Sequence, residues 1–386
     1  MGKIENKVYY TYNDLTIKPG IVSNIEHRNE CLPWDNEGKL PLFTAPMNTV
    51  INKDNFDVFE ANNIHAILPR TESLKDRVAY STQGKWAAYS LKEFSDIFCN
   101  ENDKLPTDNE IKALIDVANG HMKIIFYLAK KAKEIYGDKL ILMGGNIANP
   151  LTYKLYADAG FSFIRCGIGG GAGCLSSSNT SIHTPMASLI KDIAEIKEKL
   201  ELEEVRIDAY ESRRKYQKLP CIIADGGIRN YRDIIKALAL GADYVMVGSV
   251  FAKMLESAAN KTCDGREWFK LPLETKLTDL TDFKFDGGTW SARYDGKIVH
   301  LGKIKAIFYG MASREGQIAL NGAKTKTSEG LKKELDVEYT MRGWVTNYID
   351  YLRSAMSYVG VRTLKDFRRE AVLVVNSENA INAVNK

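Results

Sequence analysis

Residues 165–176 read Arg165-Cys166-Gly167-Ile168-Gly169-Gly170-Gly171-Ala172-Gly173-Cys174-Leu175-Ser176. The apolar run just before them, at residues 161–164, predicts a buried strand, and the five glycines predict a loop that follows it directly. Glycine accepts positive φ and lets the backbone approach a ligand closely, so the loop can face an anion or a cation. Cys174 lies in this loop, where an accessible thiol favours reactive chemistry over packing. A flexible connector with an incidental thiol is the alternative that the loop alone leaves open.

The composition is that of a globular protein, with 386 residues of which 45% are hydrophobic and 26% charged. The net charge of +4 is small, so we expect neither nucleic acid nor a membrane as the partner. A small positive excess does suit the binding of an anionic small substrate. We expect no signal peptide, and no apolar run approaches the roughly 18 residues of a membrane span. The six cysteines form no Cys-x-x-Cys pair and no zinc spacing, which indicates reduced thiols and a cytoplasmic location.

Strand-like and helix-like runs alternate along the chain. Eight strands are predicted, at residues 40–48, 64–68, 111–117, 140–143, 161–166, 221–224, 244–247 and 303–308. Helices are predicted between or after them, at residues 55–62, 123–136, 151–159, 186–202, 231–240 and 348–358. This order predicts right-handed βαβ units, and eight units favour a (β/α)8 TIM barrel whose active site lies at the carboxyl ends of the strands. A doubly wound open sheet is the alternative, but its dinucleotide loop opens a helix, and residues 174–179 are poor helix starters.

We expect one barrel domain over residues 1–386, interrupted by three segments. Residues 201–218 are rich in charge and predict a solvated extension of a helix and loop. A β-rich insertion is expected at about 258–304, where Asp-Gly turns separate short strand-like runs. Residues 312–335 are long and weakly patterned, as in a mobile flap over an active site.

Two glycine turns follow late strands of the predicted barrel, Asp225-Gly226-Gly227 and Gly248-Ser249. Backbone amides exposed at such turns can hold a phosphate. The carboxylate of Asp225 suits a vicinal diol, because it can accept hydrogen bonds from both ribose hydroxyls. Together the two turns predict a nucleotide, whereas each taken alone is equally compatible with an ordinary tight turn.

Further polar side chains follow earlier strands or lie in the flap. Asp116 and Asn146 come at the ends of consecutive predicted strands and could orient a second ligand. A role for Asp116 as a helix N-cap is equally compatible with the sequence. Glu329, taken alone, is typical of an exposed acid.

Taken together, these loops and their order resemble the IMP dehydrogenase and GMP reductase family. The resemblance extends over about residues 12–367, and its motifs are residues 45–50, 116–120, 144–146, 167–174, 224–228, 238–242, 248–249 and 309–311. It implies a TIM barrel, a nicotinamide cofactor, a homotetramer and a cysteine thiolate that attacks C2 of a purine nucleotide. The dehydrogenase branch oxidises IMP with NAD, whereas the reductase branch converts GMP to IMP and ammonia with NADPH.

Three features favour the reductase branch. Only about 40 residues separate Ser73 from Asp116, so the CBS-domain pair common in the dehydrogenases is absent there. The flap between Ser313 and Glu329 lacks the Arg-Tyr pair with which the dehydrogenases activate water. Glu329 stands where the dehydrogenases have glutamine, and in the reductases this acid can give a proton to the departing amine. The resemblance therefore implies NADPH-dependent reductive deamination of GMP; the alternatives are an IMP dehydrogenase, a reductase of another purine nucleotide and a non-catalytic nucleotide-binding barrel.

The resemblance assigns a role to each matching position. The implied catalytic residues are Cys174 as nucleophile, Ser176 in place of a threonine, and Glu329 as acid and base. The implied substrate-binding residues are Asp225, Gly227, Gly248, Ser249, Met311, Ala312, Lys326 and Ser328. The implied cofactor-binding residues are Asp116, Asn146, Arg70 and Gly167, and the carbonyls of Gly169, Gly171 and Cys174 match a site for a monovalent cation such as K+.

Several positions depart from the family pattern. Ala172 replaces a serine that helps to bind phosphate, and Leu175-Ser176 replaces a pair of threonines. Asn48 replaces an aspartate, and Arg70 and Lys326 replace a lysine and an arginine, respectively. These changes are compatible with a divergent reductase or with one adapted to a deoxynucleotide or a modified base.

Overall fold

The computed structural model describes residues 4–208, 218–263, 277–323 and 327–384. Its strands are β1 (Leu15–Lys18), β2 (Leu42–Thr44), β3 (Ile67–Leu68), β4 (Trp86–Tyr89), β5 (Ile111–Ile115), β6 (Leu140–Ile147), β7 (Phe163–Cys166), β8 (Cys221–Asp225), β9 (Tyr244–Val247), β10 (Lys261–Cys263), β11 (Thr281–Asp286), β12 (Thr289–Tyr294), β13 (Lys297–Gly302), β14 (Ile304–Tyr309), β15 (Lys332–Asp336) and β16 (Val372–Val375). Its α-helices are α1 (Phe56–Ala61), α2 (Leu74–Thr82), α3 (Leu91–Phe98), α4 (Lys123–Tyr136), α5 (Thr152–Asp158), α6 (Ser176–Thr180), α7 (Met186–Asp208), α8 (Tyr231–Ala239), α9 (Ser249–Ala252), α10 (Arg314–Asn321), α11 (Met341–Val359), α12 (Leu364–Glu370) and α13 (Glu378–Val384). Within these ranges no helix combines the length and the apolar character that crossing a membrane requires.

Eight parallel strands form one sheet, in the order β2-β9-β8-β7-β6-β5-β4-β3. The two edges of this sheet meet, because the amide of Thr44 donates to the carbonyl of His65 and the amide of His65 donates to the carbonyl of Leu42, each over 3.0 Å. Helices alternate with the strands around the closed sheet. The fold is therefore a (β/α)8 TIM barrel, as expected, and the open doubly wound sheet is excluded.

One of the eight predicted barrel strands was wrong. The run at residues 303–308 forms β14, which lies between β10 and β15 in a separate antiparallel sheet. The missing barrel strand is β4, whose four residues are all buried. Two of those residues are alanines, so the segment carries a weak apolar signal and is short even for a strand. Closure of the sheet, which needs a strand between β3 and β5, decides its conformation.

Other differences lie at the boundaries of elements. β6 continues past the predicted Met143 to Ile147, so the Gly-Gly-Asn motif belongs to the strand. The N-terminal segment, for which no strand was predicted, contains β1, which pairs antiparallel with β16. One helical turn, α6, forms despite its poor helix-starting sequence, and α11 begins seven residues before the predicted helix at residue 348.

Within the range expected for the β-rich insertion, β11, β12 and β13 form a small antiparallel sheet. The indole N–H of Trp290, which is 2% exposed, donates to the carbonyl of Val337 over 2.7 Å. Leu301 and Ala306 belong to the same apolar cluster, so the insertion packs against the β14–β15 layer. Residues 264–276 of the insertion and 209–217 of the charged segment lie outside the described residues.

The interior of the barrel is filled with apolar side chains. Phe43, Trp86, Leu114, Met143 and Ile223 form one buried cluster inside the sheet. A second and larger cluster lies between the sheet and the surrounding helices. Because the interior of a TIM barrel is a packed core and not a pore, ligands bind among the loops at the strand ends.

An ion pair on the outer wall of the barrel provides a stability prediction. The guanidinium of Arg77 donates to the two carboxylate oxygens of Glu93 over 2.6 and 3.1 Å, and the amide of Ser90 donates to the same carboxylate over 2.8 Å. Burial raises the pKa of Glu93, but the hydrogen bonds from Arg77 and Ser90 outweigh it and lower that pKa to about 2. A lowered carboxyl pKa stabilises the fold above the ordinary value of 4.5, and this contribution is lost as the pH falls toward 2.

We expect Glu93→Gln to lower the free energy of unfolding at pH 7 by about 2 kcal/mol, because the buried charge of Arg77 loses its partner. The difference between the variant and the wild type should shrink between pH 5 and pH 3, because the carboxyl group of Glu93 takes up its proton in the unfolded chain over this range while the folded protein keeps it ionised. Urea unfolding followed by circular dichroism at pH 7, 5 and 4 measures both effects. A difference that stays constant over this range would contradict the assignment of the lowered pKa.

Candidate active site

A cavity of about 450 Å³ opens at the carboxyl end of the barrel. The glycine loop after β7 and residues of the flap both line it. Most of the residues singled out from the sequence line this cavity: Arg70, Asp116, Asn146, Gly167, Gly169, Gly171, Cys174, Asp225, Gly227, Gly248, Ser249, Met311, Ala312 and Glu329. The fold thus gathers in one place residues that are distributed over most of the chain.

Among the predicted site residues that the structure describes in full, Ser328 does not line the cavity. The hydroxyl of Ser328 donates to the carbonyl of Gly330 over 3.1 Å. Lys326 and the side chain of Ser176 lie outside the part of the chain that the structure describes.

Cys174 and Glu329 are brought together by main-chain hydrogen bonds. The amide of Leu175 donates to the carbonyl of Glu329 over 2.8 Å, and the amide of Leu331 donates to the carbonyl of Gly173 over 3.0 Å. These bonds form an antiparallel bridge between Cys174 and Gly330. The flap is thereby paired with the cysteine loop, and the position of Glu329 is set by the backbone.

Glycines make this close approach of the two segments possible. A Cβ on Gly330 would lie 2.7 Å from the amide nitrogen of Ser313 and 3.1 Å from the carbonyl oxygen of Gly173. A Cβ on Gly310 would lie 2.6 Å from that same carbonyl oxygen. A methyl group at either position therefore requires a backbone shift, since these neighbours are main-chain atoms.

We expect Gly330→Ala to displace the flap from the cysteine loop and to raise the rate at which iodoacetamide alkylates Cys174 several-fold. Mass spectrometry of the peptide that contains Cys174 measures this rate separately from those of the other cysteines. Gly343→Ala is the matched control, because a Cβ there lies 3.3 Å from the hydroxyl of Thr340 at the start of α11 and does not reach the cavity. Equal alkylation rates in the two variants would show that Gly330 does not hold the flap in place.

The carboxylates of Asp116 and Asp225 are joined through the side chain of Arg165. Its Nη1 lies 2.7 Å from Oδ1 of Asp116, and its Nε lies 2.9 Å from Oδ2 of Asp225. Oδ2 of Asp225 also accepts a hydrogen bond of 2.6 Å from the side-chain amide of Asn146. Burial lowers the pKa of Arg165, but the two carboxylates outweigh it and raise that pKa above its usual value. The guanidinium therefore stays charged beneath the cavity.

Sequence reasoning did not single out Arg165 as a site residue. It was read as part of a buried strand, and the structure confirms that it lies in β7 and is only 8% exposed. The available signal was the residue type itself, because arginine is almost never buried in an apolar strand unless it is paired.

Arg70 lies on the same side of the cavity as Asp116. Its Nη1 donates to the carbonyl of Asp116 over 3.2 Å and lies 3.8 Å from the carboxylate of that residue. Arginine and carboxylate therefore alternate from Arg70 through Asp116 and Arg165 to Asp225.

The glycine turns expected to hold phosphate are in contact with the glycine loop. The amide of Gly227 donates to the carbonyl of Gly170 over 2.8 Å, so this donor is already used in the present conformation. Gly226 has φ +124° and approaches Gly170 so closely that a Cβ would lie 3.2 Å from its Cα. Gly248 and Ser249 line the cavity.

The carbonyls that match a cation site already accept hydrogen bonds. The carbonyl of Gly169 accepts from the hydroxyl of Ser177, and that of Gly171 accepts from the amide of Cys174, both over 3.0 Å. Each carbonyl oxygen has a second lone pair, so this pairing is compatible with a bound cation. Among the described residues no group of three or more His, Cys, Asp or Glu side chains could hold a metal ion.

Comparison with known proteins shows which family these features resemble. Residues 105–271 match the sequence model described as IMP dehydrogenase / GMP reductase domain. This segment, less than half of the chain, is similar to that family. It includes the cysteine loop, Asp116, Asn146, Asp225 and the Gly248-Ser249 turn, that is, most of the cavity wall.

Relatives from both branches are similar to the chain. An inosine-5'-monophosphate dehydrogenase of Borreliella burgdorferi is 28% identical over 69% of this chain, and the chain covers 55% of that protein. A GMP reductase of Staphylococcus epidermidis is 26% identical over 95% of this chain and is covered to 97%. A GMP reductase of Caenorhabditis elegans is 23% identical, with 97% of this chain and 94% of that protein covered. The chain thus spans about half the length of the similar dehydrogenases and nearly all of the similar reductases.

Proposed function

We propose that the protein is an oxidoreductase that converts GMP to IMP and ammonia with NADPH. The observation that carries this proposal is the main-chain pairing of the Glu329 segment with the Cys174 loop, beside Asp225, in one cavity. This arrangement offers a nucleophile, an acid and a ribose acceptor to a single nucleotide. The similarity to GMP reductases along almost the whole chain supports the same branch.

The proposed chemistry takes place at C2 of the guanine ring. The thiolate of Cys174 forms a bond to C2, and the 2-amino group leaves with a proton from the carboxyl group of Glu329, as ammonia. NADPH, when bound, supplies a hydride to C2. The C–S bond then breaks, which releases IMP and restores the thiolate. Overall, GMP, NADPH and two protons give IMP, NADP+ and an ammonium ion.

The nucleotide and the cofactor would occupy different sides of the cavity. Asp225 would accept hydrogen bonds from the ribose hydroxyls, and the Gly248-Ser249 turn would face the phosphate. Arg70, Asp116 and Asn146 line the other side and offer donors and acceptors that suit the carboxamide of a nicotinamide. The proposal further includes a potassium ion at the carbonyls of the glycine loop. It also includes a cytoplasmic homotetramer, and light scattering would measure the mass of the assembly.

A second candidate is the oxidation of IMP with NAD. It is favoured by the higher identity to dehydrogenases, which is 28% for the Borreliella burgdorferi protein against 26% for the Staphylococcus epidermidis reductase. The presence of Glu329 argues against the oxidation of IMP, because a carboxyl group at this position suits the protonation of a leaving amine.

The deciding experiment incubates the protein with GMP and NADPH and follows the loss of NADPH absorbance together with ammonia and IMP. The proposal expects equal amounts of NADP+, ammonia and IMP. Formation of NADH from IMP and NAD, without turnover of GMP, would assign the protein to the dehydrogenase reaction. Parallel assays with deoxy-GMP and with base-modified GMP test whether the departures from the family pattern at Ala172 and Ser176 go with a different preferred nucleotide.

A further inference from the structure

One guanidinium connects the carboxyl ends of three barrel strands, β5, β7 and β8. Arg165 belongs to β7 and donates to Asp225 at the end of β8 and to Asp116 directly after β5. Asn146, in β6 between them, donates to Asp225 over 2.6 Å and to the carbonyl of Gly167 over 2.9 Å. All of these side chains border the same cavity. The two carboxylates therefore share one buried positive charge.

This sharing depends on the shape of arginine. The planar guanidinium donates in two directions at once, here with Nη1 toward Asp116 and with Nε and Nη2 toward Asp225, at distances of 2.7 to 2.9 Å. A lysine ammonium is a compact point charge and cannot keep both carboxylates in these positions. Because the group is buried, solvent screens these interactions only weakly.

The carboxylates belong to the two halves of the cavity that the proposed function distinguishes. Ribose hydroxyls that donate hydrogen bonds to Asp225 would stabilise its negative charge, so that Asp225 would depend less on Arg165. Arg165 would then interact more strongly with Asp116. This interaction would hold Asp116 in position on the side of the cavity where the cofactor binds. The converse holds for a cofactor that binds at Asp116, because coupling between two binding equilibria is reciprocal.

We propose that Arg165 is a positioning residue that couples nucleotide binding to cofactor binding, so that each ligand tightens the binding of the other. This inference rests on the proposed function, because it assigns the nucleotide to Asp225 and the cofactor to Asp116. It goes beyond that function in naming a shared guanidinium as the connection between the two sites.

The test measures binding without turnover, using GMP and the oxidised cofactor NADP+, which cannot supply a hydride. Isothermal titration gives the Kd of GMP with and without saturating NADP+, and the Kd of NADP+ with and without GMP. For the wild type we expect each ligand to lower the other Kd by about fivefold or more, by the same factor in both directions. For Arg165→Lys we expect both factors to approach one while GMP still binds.

Arg77→Lys is the matched control, because Arg77 is also a buried arginine, 3% exposed, that binds a carboxylate through both terminal nitrogens. It lies away from the cavity, so this variant should lose stability and keep the wild-type coupling. If Arg165→Lys does not fold, Asp116→Asn serves instead, since it leaves the pair of Arg165 and Asp225 in place and removes the cofactor-side charge. It should also bring the coupling factor toward one.

The outcomes separate this inference from the proposed function. Wild-type protein that binds GMP and NADP+ independently would overturn the coupling and leave the proposed function standing. Coupling that persists in Arg165→Lys or in Asp116→Asn would likewise overturn the role of Arg165. Wild-type protein that binds no GMP at all would overturn both.

Discussion

Replacing Cys174 with alanine is expected to lower kcat for the reduction of GMP by at least about 10⁴-fold, because covalent attack on C2 has no substitute nucleophile. The other cysteines of the described chain do not line the cavity, and Ser249 is the hydroxyl side chain in its wall. GMP should still bind, since the proposed ribose acceptor Asp225 is untouched. Steady-state kinetics and titration calorimetry on the same preparation measure the two effects separately.

Cys221→Ala is the matched control for this experiment. Cys221 lies in β8, and burial together with the nearby Asp243 raises the pKa of its thiol to about 12, so it stays protonated and unreactive. The control should keep wild-type turnover. Residual turnover in Cys174→Ala close to that of the control would remove the covalent step from the mechanism, whereas a wild type that binds GMP without any turnover would indicate a non-catalytic nucleotide-binding barrel.

The second large effect is expected for Glu329→Gln, which should lower the rate of ammonia release by about 10² to 10⁴-fold while GMP still binds. The amide has the size of the acid but cannot give a proton to the departing amine. The main-chain bonds of residue 329 to Leu175 and Ala312 do not involve its side chain, so the flap should stay paired with the cysteine loop. Ammonia release in a single turnover and the Kd of GMP are the two measurements.

Glu334→Gln provides the comparison, because Glu334 lies in β15 a few residues further along, is paired with Lys305 and does not line the cavity. It should leave ammonia release unchanged. Normal release in Glu329→Gln would exclude this carboxylate as the proton donor and would direct the search to another acid of the cavity wall.

Elements with a strong local pattern were predicted well. The amphipathic run of α4 and the apolar run of β9 have the predicted bounds, because the first has a helical period and the second is a short continuous apolar run of strand length. β4 and β14 were misassigned for the opposite reason. Trp-Ala-Ala-Tyr has too few large apolar residues to indicate a central strand, and Ile304–Tyr309 alternates like a strand but pairs with β10 and β15 outside the barrel.

The sequence by itself determined the alternation of strands and helices and the chemical groups that follow each strand, because both depend on short-range periodicity and on residue type. Only the tertiary structure decided which of those groups meet. Closure of the barrel brings Arg165 into contact with carboxylates 49 and 60 positions away, and main-chain pairing brings Glu329 beside the loop of Cys174. Contacts over such separations arise from sheet closure and backbone pairing, and no local pattern encodes them.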